Sequence, residues 1–266
     1  MSALLQKWRA ALAALALALA LVPAHAGRDC EAHLPTVASV RQGLELAART
    51  AQALDASGAQ VVVLARAGQD LSKYGLQWSH LGFAYREGGP GSPWRVVHKL
   101  NQCGAASADL WRQGLGEFFM DDPWRYLAAV AVPTPEVQAR LLPLLRDNVQ
   151  VARLHESAYS MVAYPWAQTY QQSNQWAIET LAWAMEPGAD SRERAQAWLR
   201  FKGYEPTVLH LDALTRLGAR IAKANVAFDD HPNAKRFSDR IETVTADSVF
   251  AWLQRAGLAA PAQVVR

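Results

Sequence analysis

Hydrophobic and polar positions change period several times along the chain. Val40, Leu44, Ala47, Ala48 and Leu54 recur at helical spacing and predict a helix over Val37–Leu54. "QVVVLARA", residues 60–67, is a β-branched run that predicts a buried strand. After the loop "GQDLSKYG", "LQWSHLGFAYR" (76–86) and "WRVVHKL" (94–100) read as two strands. Gly88-Gly89-Pro90-Gly91 between them predicts an antiparallel hairpin. Residues 109–119 are assigned to a helix and "YLAAVAV" (126–132) to a fourth strand. Pro133-Thr134-Pro135 opens a helix over 136–148, with proline in the first turn, where its missing N–H is no loss. Helices follow at 174–185, 191–201, 206–222 and 247–256, the first of them stopped by Pro187-Gly188. No internal repeat or low-complexity tract is visible after residue 26. The pattern predicts an α+β fold, an antiparallel sheet with packed helices.

The N-terminus changes the reading of compartment. Lys7 and Arg9 precede an uncharged alanine- and leucine-rich run over 10–22, and Ala24-His25-Ala26 has the small-x-small pattern of a cleavage site. Residues 1–26 are expected to be a secretory signal peptide, because the apolar run is too short to span a bilayer. The exported chain of residues 27–266 is expected in the periplasm or outside the cell, with no stable membrane span. Removing Lys7 and Arg9 takes the formal charge from +3 to +1, which argues against nucleic acid as the main partner. In an oxidising compartment Cys30 and Cys103 most simply form a disulfide; a free nucleophilic thiol is the competing reading.

Three residues carry the candidate chemistry. His80 lies mid-strand beside Gly82, and alternation groups it with Trp78, Gly82 and Ala84. His98 shares a face with Val96 and Leu100 on the neighbouring strand. Two such histidines can act in series, one as base and the other fixing its tautomer. Ser173, in "QQSNQWA", tops the side of its helix that carries Ala177, Leu181, Ala184 and Met185. There it is either a helix cap or a nucleophile beside free N–H donors. Trp78, Asn174 and Gln175 are expected to line the same groove. Asp229-Asp230-His231-Pro232 has a metal-binding composition but reads as a turn. Residues 199–220 have a helix-turn-helix look, for which two packed helices are the plainer account. Trp176 and Trp183 read as core. No metal or organic cofactor is expected.

"SHLGFAYRE", then "WRVVHKLN" and "GLGEFF", resembles the histidine-strand motifs of the NlpC/P60 papain-like superfamily. The candidate helix "QQSNQWAIETLAWAM" follows those strands, and "YLAAVAVPTPEVQARLLPLL" resembles the connector between them. That order is similar to the circularly permuted branch, which includes lecithin retinol acyltransferase-like and YiiX-like proteins. The mature chain as a whole resembles the bacterial exported family called DUF2145. The resemblance implies a permuted papain-like core over 27–186 and a helical extension over 187–266 packed on the same domain. It also implies a catalytic base at His80, an orienting residue at His98 and the nucleophile at Ser173, where those relatives carry cysteine. The implied activity is hydrolysis or transfer at an amide or ester carbonyl, as an amidase, peptidase or acyl hydrolase acting on cell-wall peptide or lipid acyl groups. A catalytically inactive envelope protein that binds or supports through the same groove is the alternative. The sequence leaves the oligomeric state open.

Overall fold

The computed structural model describes residues 34–266 apart from Pro90. The expected signal peptide and Cys30 lie outside the described residues. Helix α1 (Val37–Ala56) is capped by Thr36, whose hydroxyl accepts from the Ser39 N–H. Six strands then make the main sheet: β1 (Val61–Ala67), β2 (His80–Arg86), β3 (Trp94–Asn101), β4 (Ala108–Gly114), β5 (Arg125–Ala131) and β8 (Gln263–Val265). Their order is β4-β3-β2-β1-β5-β8, and every pairing is antiparallel. The fold is therefore α+β.

The "VVVLARA" run has no polar alternation because β1 is buried along its whole length. Central strands with helices over both faces read as continuous apolar runs. On one face Val61, Val63, Leu81, Phe83 and Val97 pack against helices α3 (Pro135–Arg146), α5 (Ser173–Met185), α6 (Arg192–Phe201) and α9 (Ala246–Arg255). On the other, Val62, Leu64, Ala84 and Val96 pack against α1 and the short helix α2 (Leu115–Phe119). The segment α4 (Asn148–Val151) follows α3. Thr134 caps α3 and Pro135 stands in its first turn, as the sequence predicts.

Two assignments are corrected. Residues 109–114, read as the first part of a helix over 109–119, belong to β4, which pairs with β3 from Arg95↔Gly114 to Asn101↔Ala108; only Leu115–Phe119 is helical. As an edge strand it is only half buried, which hid its alternation. Residues 207–210, read as the start of a helix, form β6 (Thr207–His210), paired with β7 (Arg240–Thr243) in a separate two-stranded sheet. Helix α7 (Ala213–Ala222) begins only after Asp212, which caps it. The region 187–266 is thus not a purely helical extension, since it holds β6 and β7 and lends β8 to the main sheet. A third cluster of Val162, Leu209, Leu211, Val226, Phe228 and Ile241 forms around the small sheet. The short helix α8 (Asn233–Arg236) precedes β7. Among the described residues no helix is long and apolar enough to cross a membrane.

Candidate functional site

The β2–β3 ladder stops at Phe83↔Val97, although β3 runs on to Asn101 against β4. Beyond that point the two strands diverge, and the N-terminus of α5 fills the divide. The Asn174 side-chain oxygen accepts the Leu81 N–H at 3.0 Å, supplying an acceptor where the ladder has ended. Gln172, not Ser173, caps α5: its side chain accepts the Asn174 N–H at 2.9 Å. The Gln172 amide in turn donates to Val244 O. Ser173 is the first helical residue, and the capping role open to it in the sequence is taken by its neighbour.

The histidines meet across β2 and β3. His80 Nε2 lies 2.8 Å from His98 Nδ1, and His98 Nε2 lies 2.9 Å from Gln113 Oε1. The carbonyl oxygen of Gln113 can only accept, so His98 Nε2 carries the proton. Neutral His98 then accepts at Nδ1, which requires a donating N–H at His80 Nε2. The lone pair of neutral His80 is thereby assigned to Nδ1. Burial pulls His98 from 6.5 down to about 3, and the charge of Arg66 pulls the same way. The Gln113 hydrogen bond and the charge of Asp121 oppose them without winning. Phe118 packs against both rings, at centroid distances of 6.0 Å from His80 and 5.2 Å from His98. Arg66, next to His80 across the β1–β2 ladder, donates to Phe118 O and to the Asp121 carboxylate.

Alternation puts both imidazoles on the sheet face covered by α1 and α2, whereas α5 packs on the opposite face. His80 and the N-terminus of α5 reach one cavity because the β2–β3 ladder ends where α5 enters. This cavity, about 360 Å³, is walled at the split by His80, Ser173, Asn174, Tyr159 and Trp78. Its far arm is apolar and includes Leu209, Leu211, Val226 and Phe228. Burial of Tyr159 raises its phenol above the usual value, and its hydrogen-bond contact with Ser173 acts against that rise. His98 and Gln175 are not among the cavity walls. His98 stands behind His80, and the Gln175 amide donates to Tyr164 O and Pro165 O. Trp78 does line the cavity, but it precedes β2 and packs with Leu81 and Phe83, not on His80's side. Asp247 of α9 holds that approach by accepting the N–H groups of Gln77 and Trp78, each at 3.2 Å. Burial, the largest influence, leaves the Asp247 carboxyl with a raised pKa.

A buried polar cluster fixes the chain leading into α5. Glu179 accepts from Arg192 at 2.9 Å, from Gln196 at 2.7 Å and from Gln171 at 2.5 Å. Gln171 also donates to Leu154 O and accepts from Lys99. Burial, with Arg192's charge adding to it, lowers Lys99 from 10.5 to about 7. Arg192 itself donates to the carbonyls of Ala167, Gln168 and Tyr170. The loop before Ser173 is therefore tied to the helix behind it.

Sequence reasoning missed Gln113, Tyr159, Arg66 and Gln172. Gln113 was lost with β4; alternation from Leu110 would have placed it towards His98 had the strand been recognised. The Asp229–Pro232 stretch is a structural turn. His231 bonds Asp230 at 2.8 Å and Glu242 O at 2.9 Å, and Asp230 accepts the Tyr164 N–H. Among the described residues no group of three or more potential ligands could hold a metal ion. In the 199–220 stretch β6 stands between the end of α6 and the start of α7, so it is neither a helix-turn-helix nor a simple pair of joined helices. Trp176 is core, and Trp183 packs against that core while partly buried. Cys103 is disulfide-bonded.

No curated protein and no solved structure matches the chain. The sequence pattern described as an uncharacterized protein conserved in bacteria, DUF2145, matches residues 53–253, and the chain belongs to that family.

Proposed function

We propose that the protein is an exported hydrolase or transferase acting at an amide or ester carbonyl, built on a permuted papain-like core. The supporting observation is the His80–His98–Gln113 hydrogen-bond series ending at a cavity that Ser173 also lines. Ser173 attacks the carbonyl carbon and His80 Nδ1 takes the hydroxyl proton. His98, kept neutral by burial, accepts from His80 throughout and so stabilises the imidazolium formed. The N-terminal N–H groups of α5 face the developing oxyanion. His80 then returns the proton to the leaving amine or alcohol, and water or an acceptor repeats the sequence to free the acyl group. Cell-wall peptides and lipid acyl esters both present such a carbonyl to an exported protein.

A second reading, a groove that binds without turnover, is favoured by one observation. The imidazoles and α5 belong to opposite sheet faces, and Ser173 is engaged with Tyr159. Labelling with a serine-directed fluorophosphonate separates the two. Covalent attachment that Ser173→Ala and His80→Ala abolish supports the enzyme. A folded protein that resists the probe supports the binder.

A further inference from the structure

Helix α7 is almost wholly outside the protein. Leu214, Leu217 and Ile221 are 81%, 56% and 63% exposed. Their spacing of three and four residues places them in one stripe along the helix. The other side of the same helix, through Thr215 and Ala219, walls the cavity whose inner arm is formed by Leu209, Leu211, Val226 and Phe228. A single layer of helix thus separates an apolar outer stripe from an apolar cavity.

Within the helix the charges are all of one sign, and the Asp212 carboxylate stands just before it as its cap. Ala213–Ala222 contains no carboxylate; exposed Arg220 borders the stripe, Arg216 lies on the other side of the helix near Ala219, and Lys223 follows the helix end. Arg216 donates to Arg236 O and Ser238 O, which ties α7 to the turn that carries Phe237. Phe237 is 74% exposed, with the Arg236 guanidinium 5.5 Å from its ring centre. A stripe of leucine and isoleucine, an aromatic ring beside it and an arginine on its border are the ingredients of a helix lying in a lipid headgroup layer. A basic flank adds attraction to anionic lipid within the screening length of the surface. Exposed apolar stripes of this kind mark an interaction surface on an otherwise water-facing protein.

The structure assigns to α7, with Phe237, the role of seating the protein on an anionic bilayer. The three apolar side chains enter the headgroup–acyl boundary and Arg220 meets lipid phosphate. The cavity behind Thr215 and Ala219 then lies at the membrane surface. This seating does not depend on whether Ser173 reacts.

Co-sedimentation of the purified protein with vesicles tests it. One set is phosphatidylglycerol with phosphatidylethanolamine, and the other is phosphatidylcholine alone. The wild-type protein is expected to pellet with the anionic set and to be released as salt rises. Replacing Leu214, Leu217 and Ile221 together by serine should weaken vesicle binding about tenfold or more. The melting temperature should stay within a few degrees, because those side chains are already exposed. Arg220→Glu should weaken binding to the anionic set selectively. No pelleting by the folded wild-type protein overturns the assignment, and so does pelleting that the triple variant leaves unchanged. A concentration-dependent dimer in size-exclusion chromatography, dissolved by the triple variant and without vesicle binding, would overturn it in favour of a second copy on α7.

Discussion

Gly82 faces His98 across β2 and β3 so closely that a Cβ added at Gly82 would fall 2.7 Å from His98 Cβ and 2.7 Å from Val97 O. Only a residue without a side chain lets His98 lean towards His80. Gly82→Ala must push β3 away or turn the His98 ring, at a cost of about 1–3 kcal/mol. The expected result is a lower urea midpoint together with loss of the imidazole N–H signal that reports the His80–His98 bond. A variant with an intact signal would show that the close approach is not needed to form the pair.

Stability should fall on acidification through His98. Its folded pKa of about 3 lies below the unfolded value of 6.5. Between these values the unfolded chain binds the proton and the folded chain does not, so stability is lost as pH drops from about 6.5 towards 3. From about pH 6.5 to pH 4.5 the loss from this one group should be about 2–3 kcal/mol. Urea titrations of wild type and His98→Gln at both pH values check this, and the variant should show the smaller drop.

Gln113 acts as a positioning residue. Gln113→Leu leaves the His98 Nε2 proton without its acceptor, costing about 1–3 kcal/mol, and frees His98 to adopt the other tautomer. If Ser173 reacts with a fluorophosphonate, labelling should slow by about tenfold or more. Gln113→Glu, which restores an acceptor, should recover the rate. A loss of stability with no change in labelling rate would limit Gln113 to a structural role.

Glu179 holds the chain before Ser173 from inside the core. Its side chain is fully buried and answers Arg192, Gln171 and Gln196 together. Glu179→Ala leaves the Arg192 charge buried without its carboxylate, and a destabilisation of about 3–5 kcal/mol is expected. Thermal unfolding measures it. Substitution at exposed Glu193, in the first turn of α6, should change stability by less than about 0.5 kcal/mol.

The central hairpin and the pairing of two histidines were legible because β2 and β3 sit mid-sheet. There, unbroken apolar runs and a glycine-rich turn leave few alternatives. The first helix, read as Val37–Leu54, was legible from periodicity, and α3 from the proline in its first turn. Edge strands were not: β4 mixes Asp109, Trp111 and Arg112 on a half-exposed ribbon, and its loss concealed Gln113. Nor could spacing reveal that Gln172 would cap α5, since the choice depends on Val244 and Thr243 more than seventy residues later. Tyr159 lies in an irregular segment placed by its N–H bond to Ala106 O, which no local pattern encodes.

The hydrogen bond from Leu81 N–H to Asn174 joins positions 93 apart in the chain. Closing so long a loop carries a large entropic cost, and it falls on a contact that local structure cannot prepay. The hairpin can register early, but its open end must wait for a helix made much later in synthesis. The cavity wall where Asn174 meets Leu81 should therefore assemble late. Solvent exchange at the Leu81 amide would report when it has closed.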